Sequence, residues 1–396
     1  MIQLRKNNIT NLFNLQGVIQ DKIQYSKNLI EVWISCPVKQ HVCPCCSKTT
    51  SRVHDYYLRS FNHIKVGKRT TRIYYKRRRY VCTNCGKKFA EKNSFIERFY
   101  RHSNDVVNSV FDDLTNIYSF SQIGQNNNMS SQNVIRLMTN FMPIFHNVVH
   151  LPEAIGIDEF RGNSGGNKFQ VVITDLKTHK VIDVISERSE DALCHYFRKI
   201  TNAKDVKLVT MDLSYFFKNI VQNFFPNAKI VADTFHFTRL MHWALDNVRK
   251  ATQKGLSKDM RVYFKHSKSV LHKRISDLTQ DQYQQLCRML DYSENLRWAH
   301  SIVQKLFEVI DEKDLDTKVT LFKEFMTYAS NCNLPEFNKH LDTYFKWHKY
   351  IINSFYTSYS NGITEGLNTK IKTLKRISFG FRSFPNFRLR ILMACA

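Results

Sequence analysis

Three short runs decide the fold: Ile155-Gly156-Ile157-Asp158-Glu159-Phe160, Lys168-Phe169-Gln170-Val171-Val172-Ile173-Thr174-Asp175 and Lys180-Val181-Ile182-Asp183-Val184-Ile185. Each is rich in β-branched residues, and the turns between them carry Gly162, Gly165 and Gly166, then Thr178-His179, which predicts an antiparallel meander. A helix fits 189–200. Val206-Lys207-Leu208-Val209-Thr210-Met211-Asp212 reads as a buried strand ending in acid, a helix fits 215–224, and Ala228-Lys229-Ile230-Val231-Ala232-Asp233 reads as a fifth strand. Three strands, helix, strand, helix, strand is the order of an RNase H-like mixed sheet, so the fold class is α/β.

Towards the C-terminus the pattern stays helical for over a hundred residues. Leu240, Trp243, Ala244 and Val248 share a face, as do Trp298, Ile302 and Leu306, and then Leu341, Phe345, His348 and Ile352. Residues 237–356 therefore read as a large all-helical insertion. Beyond it lies Ser360-Asn361-Gly362-Ile363-Thr364-Glu365-Gly366-Leu367-Asn368, in which Glu365 is the last acid of the chain; seven basic residues follow it. On a helix through Glu365, Asn368 and Lys372 share its face at i+3 and i+7 and are positioned to touch phosphates, with Lys375 and Arg376 beyond.

Towards the N-terminus, 105–141 has helical apolar spacing, with an Asn126-Asn127-Asn128 turn and Ser130 or Ser131 as a cap. This is the outline of a helix-turn-helix that offers Gln132, Asn133 and Arg136 to a major groove. Further back, 12–35 reads as extended, and Cys43, Cys46, Cys82 and Cys85 form two C-x-x-C knuckles. Four thiolates in tight pairs suit one structural tetrahedral Zn²⁺, with Cys45 as a competing thiol. The strand entering the second knuckle carries Lys76, Arg77, Arg78 and Arg79, which we read as phosphate contacts.

The 396 residues carry a net charge of +25, and residues 1–102 alone hold 21 basic and 5 acidic side chains, which points to nucleic acid as partner. No apolar run approaches the ~18 residues of a membrane span and the start is polar, so a cytoplasmic, DNA-associated chain with no membrane partner is expected. Phosphoryl transfer on DNA calls for two divalent cations, Mg²⁺ or Mn²⁺, held by hard carboxylate oxygens. Asp158, Asp212 and Glu365 would converge at one sheet edge to hold them. Asp233 competes with Asp212 by spacing alone, whereas Asp175 and Asp183 read as ordinary solvated acids and Glu159 as pointing to the opposite strand face.

The Gly156-Ile157-Asp158-Glu159-Phe160 strand and the motif from Ser360 through Glu365 and Asn368 to Ile371-Lys372, Lys375-Arg376 and Gly380-Phe381 resemble the DDE transposases of the insertion sequence L-three group. The resemblance covers nearly the full length. It implies Asp158, Asp212 and Glu365 as the catalytic triad, and Asp233 and His236, in Asp233-Thr234-Phe235-His236, as supporting residues. The domains expected are a zinc ribbon over 1–102, a helix-turn-helix over 103–150, a catalytic core over 151–236, the helical insertion over 237–356, and the closing helix with its basic tail over 357–396. The activity expected is binding of double-stranded terminal inverted repeats, metal-dependent cleavage of the DNA ends and joining of 3′-hydroxyls to target DNA by a homodimer or higher oligomer. The alternative is a zinc-dependent DNA-binding regulator with an inactive core.

Overall fold

The computed structural model describes residues 13–140 and 148–395. The polar start at 1–8 and the end of the third predicted helix at Phe141 lie outside them. The described residues divide into two compact units, one drawn from 13–140 and 373–395, the other from 148–372.

In the first unit, strands β1 (Ile19–Tyr25), β2 (Leu29–Ser35), β3 (His41–Val42), β4 (Thr49–Thr50), β5 (Val53–Val66), β6 (Arg69–Val81) and β7 (Lys88–Ala90) precede helices α1 (Asn104–Thr115), α2 (Phe120–Asn126) and α3 (Ser131–Asn140). The main sheet has the order β1-β2-β6-β5, with β7 added to β6. In β2, Ile30, Val32 and Ile34 are buried and alternate with more exposed neighbours, the period-2 signature of a half-buried strand. Gly67 takes φ +60° in the tight β5–β6 turn, a conformation that a Cβ disfavours. The long strand β5 has no counterpart in the sequence reading.

Ser103 and Ser119 cap α1 and α2, and the Ser130 hydroxyl accepts from the Asn133 N–H at the start of α3. These helices bury Val110, Leu114, Ile123, Val134 and Met138 together with Leu389 and Met393. The last two come from the C-terminal helix, Phe384–Cys395, which packs within the first unit, whereas the sequence reading grouped it with the catalytic core. Its Arg390 is fully buried and donates to the carbonyls of Leu114, Asn116 and Tyr118, which closes the C-terminal end of α1. That part of the basic tail is structural.

The second unit contains β8 (Ala154–Phe160), β9 (Gln170–Asp175), β10 (Lys180–Ile185), α4 (Glu190–Phe197), β11 (Leu208–Met211), α5 (Tyr215–Phe224) and β12 (Lys229–Ala232). The strand order is β10-β9-β8-β11-β12, antiparallel through the first three and parallel from β8 to β12, as the RNase H-like reading requires. One face of the sheet buries Ile155, Ile157, Val171, Ile173, Val209 and Met211 with apolar residues of α4 and α5. Asp183 departs from the solvated-acid expectation. It lies buried at a register irregularity, with its Oδ1 accepting from the Val184 N–H at 2.7 Å.

The helical region begins at α6 (Thr234–Lys254) and continues through α7 (Lys258–His266), α8 (Lys268–Leu271), α9 (Gln280–Asp291), α10 (Glu294–Asp311), α11 (Leu315–Asn331) and α12 (Pro335–Phe355) around one apolar core. It starts three residues before the expected boundary, with Asp233 at the N-cap of α6. Asn353 of α12 donates to the Ile230 carbonyl of β12, so the helices return the chain to the sheet edge before α13 (Gly362–Ile377).

Candidate active site

Strand register builds the site. Met211 pairs with Ile157 on one side and with Ala232 on the other. The next residues along these three parallel strands are Asp158, Asp212 and Asp233, so the acids stand in one row across adjacent strand ends.

Helix α13 covers the sheet face that carries this row. Gly156 is required there, because a Cβ at this position would lie 2.3 Å from Thr364 Oγ1 and 2.5 Å from Thr174 Oγ1. The two threonine hydroxyls are hydrogen-bonded at 2.8 Å. Two asparagines on α13 and at its start then engage the acids. Asn361 Nδ2 donates to Asp212 Oδ1 at 3.1 Å, and Asn368 Nδ2 donates to Asp158 Oδ2 at 2.7 Å. Asn368 is 2% exposed, so it orients a carboxylate and does not face a phosphate as the sequence reading expected. Its direction was not readable from spacing, because positions i and i+3 share a face whether that face meets sheet or solvent.

Burial first, and then the negative charge of Asp212, push the Asp158 carboxyl up to about 7. His236, on the first turn of α6, lies with Nδ1 2.8 Å from Asp212 Oδ1 and 2.9 Å from Asp233 Oδ2. Burial alone would lower its imidazole, but these two acceptors outweigh it and push it up to about 9. The protonated ring thus supplies positive charge where two carboxylates converge.

Ligand-type atoms of Asp212, Asp233 and His236 lie within 4.8 Å of one another; with its proton at Nδ1 the imidazole braces the two acids, whose oxygens are the ligands on offer. Hard oxygens in a row, a carboxyl raised by burial and then by its neighbour's charge, and Asn368 Oδ1, which is buried without a hydrogen-bond partner among the described residues, fit a divalent cation. Glu365 is exposed and is not part of that cluster. Its N–H donates to the Asn361 carbonyl at 2.8 Å, and it lies one helical turn from both Asn361 and Asn368, the two residues that engage the acids. Glu159 pairs instead with Arg188, and Asp175 closes a turn by accepting from the Lys177 and Thr178 N–H groups.

In the ribbon, the four cysteine ligand atoms also lie within 4.8 Å of one another. Cys43 and Cys85 sulfurs are 3.6 Å apart and those of Cys46 and Cys82 3.5 Å, near the ~3.8 Å edge of a tetrahedron with Zn–S bonds of about 2.3 Å. The two knuckles share one backbone pattern. The Ser47 N–H returns to the Cys43 carbonyl and the Gly86 N–H to that of Cys82, both at 3.0 Å, with positive φ at Ser47 and Gly86. Cys45 is exposed, and only its backbone N–H reaches the cluster, at Cys43 Sγ.

Among the expected DNA contacts, Lys76 and Arg79 are exposed on β6, although Arg79 pairs with Asp55; Arg77 is half-buried and donates to the Glu91 carbonyl. Arg78 corrects the reading. It is 8% exposed, paired with buried Glu91 and donating to the Cys36 carbonyl, because Glu91 beyond β7 lies under the inner side of β6. Gln132 and Arg136 are exposed on α3, with Asn133 half-buried between them, and Lys372 and Arg376 are exposed on α13 with Lys375 half-buried.

A mixed sheet with an acid row, preceded by a four-cysteine ribbon, defines an α/β protein class with two candidate metal sites, and similarity to known proteins specifies it further. Residues 155–391 match the transposase model of the ISL3 group of DDE proteins, and residues 39–85 match the zinc-finger of transposases IS204, IS1001, IS1096 and IS1165. The chain belongs to the ISL3 family of DDE transposases. It is 20% identical over 404 residues to the transposase for insertion sequence element IS1001 of Bordetella parapertussis, covering 96% of this chain and 95% of that protein. It is 25% identical over 257 residues to the transposase for IS1557 of Mycobacterium tuberculosis, covering 58% of this chain and 57% of that one. A Lactococcus lactis protein described as an ATP-dependent protease is 37% identical over 132 residues, 33% of this chain and 38% of its own length. Among the described residues, no helix is long and apolar enough to cross a membrane.

Proposed function

We propose that this transposase binds the terminal inverted repeats of its element through residues 1–150, cuts the DNA ends, and joins the 3′-hydroxyls to target DNA as a dimer or higher oligomer. In this reading Asp158, Asp212 and Glu365 are the catalytic acids, with Asp233 and His236 in support. The observation that carries it is the register row of Asp158, Asp212 and Asp233, closed over by the helix that bears Glu365.

Two divalent cations bound by these acids would supply Lewis-acid stabilisation of the attacking and leaving oxygens. The chain's own residues prepare that site. Asn368 and Asn361 fix the rotamers of Asp158 and Asp212, His236 holds a proton at Nδ1 between Asp212 and Asp233, and exposed Lys372 and Arg376 attract the phosphate chain.

The test is Mg²⁺-dependent cleavage and strand transfer on DNA carrying an element end. Glu365→Gln should lower both by about a thousandfold, about 4 kcal/mol of transition-state stabilisation. Full activity in that variant removes Glu365 from the triad, and end binding by the wild-type chain without cleavage supports the regulator with an inactive core.

Asn368→Ala should lower cleavage by about ten- to a hundredfold with a raised Mg²⁺ requirement, since it frees Asp158 to turn while leaving every acid in place. A cation titration with unchanged midpoint would limit Asn368 to packing.

A further inference from the structure

A cavity of about 860 Å³ opens on the ribbon unit between the β5–β6 hairpin, β7 and the loop 97–101. No acidic side chain lines it, while Lys87, Lys88, Arg98 and Arg101 do, all exposed and without a carboxylate partner among the described residues. The loop carries Phe99, which is 83% exposed and held at φ +70°, a region that a non-glycine residue occupies at a cost. Two anchors enforce that display: Arg59 donates to the Glu97 and Tyr100 carbonyls at 2.8 and 2.6 Å, bracketing Arg98 and Phe99. The Arg98 guanidinium covers one face of the Phe99 ring at 4.7 Å, and the ring is otherwise displayed to solvent. An apolar ring held outward in a strained backbone, in a cavity whose charged lining is all basic, fills no core.

We propose that this groove holds an unpaired nucleic-acid strand, with phosphates on Lys87, Lys88, Arg98 and Arg101 and a base stacked on Phe99. A duplex would satisfy the cations but not the ring, because paired bases hide their faces, whereas basic grooves with displayed aromatics are how single strands are held. The proposal rests on the reading that the chain works on DNA, and assigns the ribbon a second task at ends whose strands are parted.

The test uses the full zinc-loaded chain and an oligonucleotide carrying 2-aminopurine, presented single-stranded and as a duplex. Phe99→Ala should weaken single-strand binding between about fivefold and a hundredfold and abolish the quenching of 2-aminopurine, with the salt dependence and the duplex affinity unchanged. Phe99→Trp should retain both affinity and quenching. Phe99→Gly, which relieves the left-handed backbone, should lose both while melting no lower than wild type. Equal losses on duplex and single strand, or none on either, would overturn the proposal. Strand-transfer failure with these binding results intact would count against the proposed chemistry alone.

Discussion

Asp158→Asn is expected to reduce DNA cleavage and joining by at least about a thousandfold while the cation-free protein becomes more stable at pH 8. The two effects share one origin. Asp158 is 9% exposed, and its burial and the charge of Asp212 raise its carboxyl to about 7 in the folded chain against 3.8 for an ordinary aspartate. A carboxyl raised on folding leaves stability fully present below about pH 4 and removes it progressively as pH rises to about 7, where the cost is on the order of 4 kcal/mol. Asparagine keeps the shape and carries no charge, so that loss disappears, and with it the oxygen pair that a divalent cation needs. Thermal melts at pH 5 and pH 8, with and without Mn²⁺, separate the terms. Both proteins should lose some melting temperature between the two pH values as the His236 imidazole, raised to about 9, begins to give up its proton, but the wild type should lose more by the Asp158 contribution, and only the wild type should regain that difference with Mn²⁺. A variant that melts lower than wild type at pH 8 without cation would show that Asp158 stabilises the fold, which would remove the argument for a charge held in strain for function. Asp233→Asn in the same assays measures the neighbour, whose carboxylate shares His236 with Asp212.

What could be read beforehand follows from where the chain buries its residues. Strands β8, β11 and β12 are covered on both faces, so each stands out as a continuous apolar run, and their order gives the sheet. The acids at their ends were legible as residues, but their equivalence was not: only register puts Asp212 level with both Asp158 and Asp233, which turns two competitors into neighbours. Strand β5 went unread because Tyr56, Tyr57 and Leu58 are all exposed, so the alternation that marks a half-buried strand is lost. Arg78 and Asn368 were misassigned for a related reason. Each is polar in a basic or acidic context, but its partner, Glu91 or Asp158, lies on another element that the fold brings against it, and sequence spacing carries no information about that approach. Phe99 carried no signal, because its exposure is a property of the backbone at one residue.

The other large effect lies in the ribbon. Removing zinc with a strong chelator, or substituting Cys82→Ser, should abolish the cooperative melting of the N-terminal module and its DNA binding, while Cys45→Ser should leave both intact. The knuckle strands β3 and β4 are two residues each, with exposed Val42 and Cys85 at the site, so little apolar area holds the four sulfurs together. The backbone instead favours thiolate. The Lys48 N–H first, with Cys82 and Cys85 beyond it, draws the Cys46 thiol down to about 6, and the Cys45 N–H points at Cys43 Sγ, while, against the pull of the Lys87 N–H, burial and the neighbouring sulfurs push the Cys85 thiol up to about 12. Thiolates 3.5–3.6 Å apart repel unless a cation joins them, so the free energy of binding a zinc ion there, about 10–16 kcal/mol in zinc-finger peptides, would be the free energy that keeps the two knuckles together. Metal analysis should find one zinc per chain in the wild type and in Cys45→Ser, and none in Cys82→Ser. Zinc retained by Cys43→Ser but lost from Cys45→Ser would exchange the ligands and require the first knuckle to refold around Cys45, whose side chain points to solvent here.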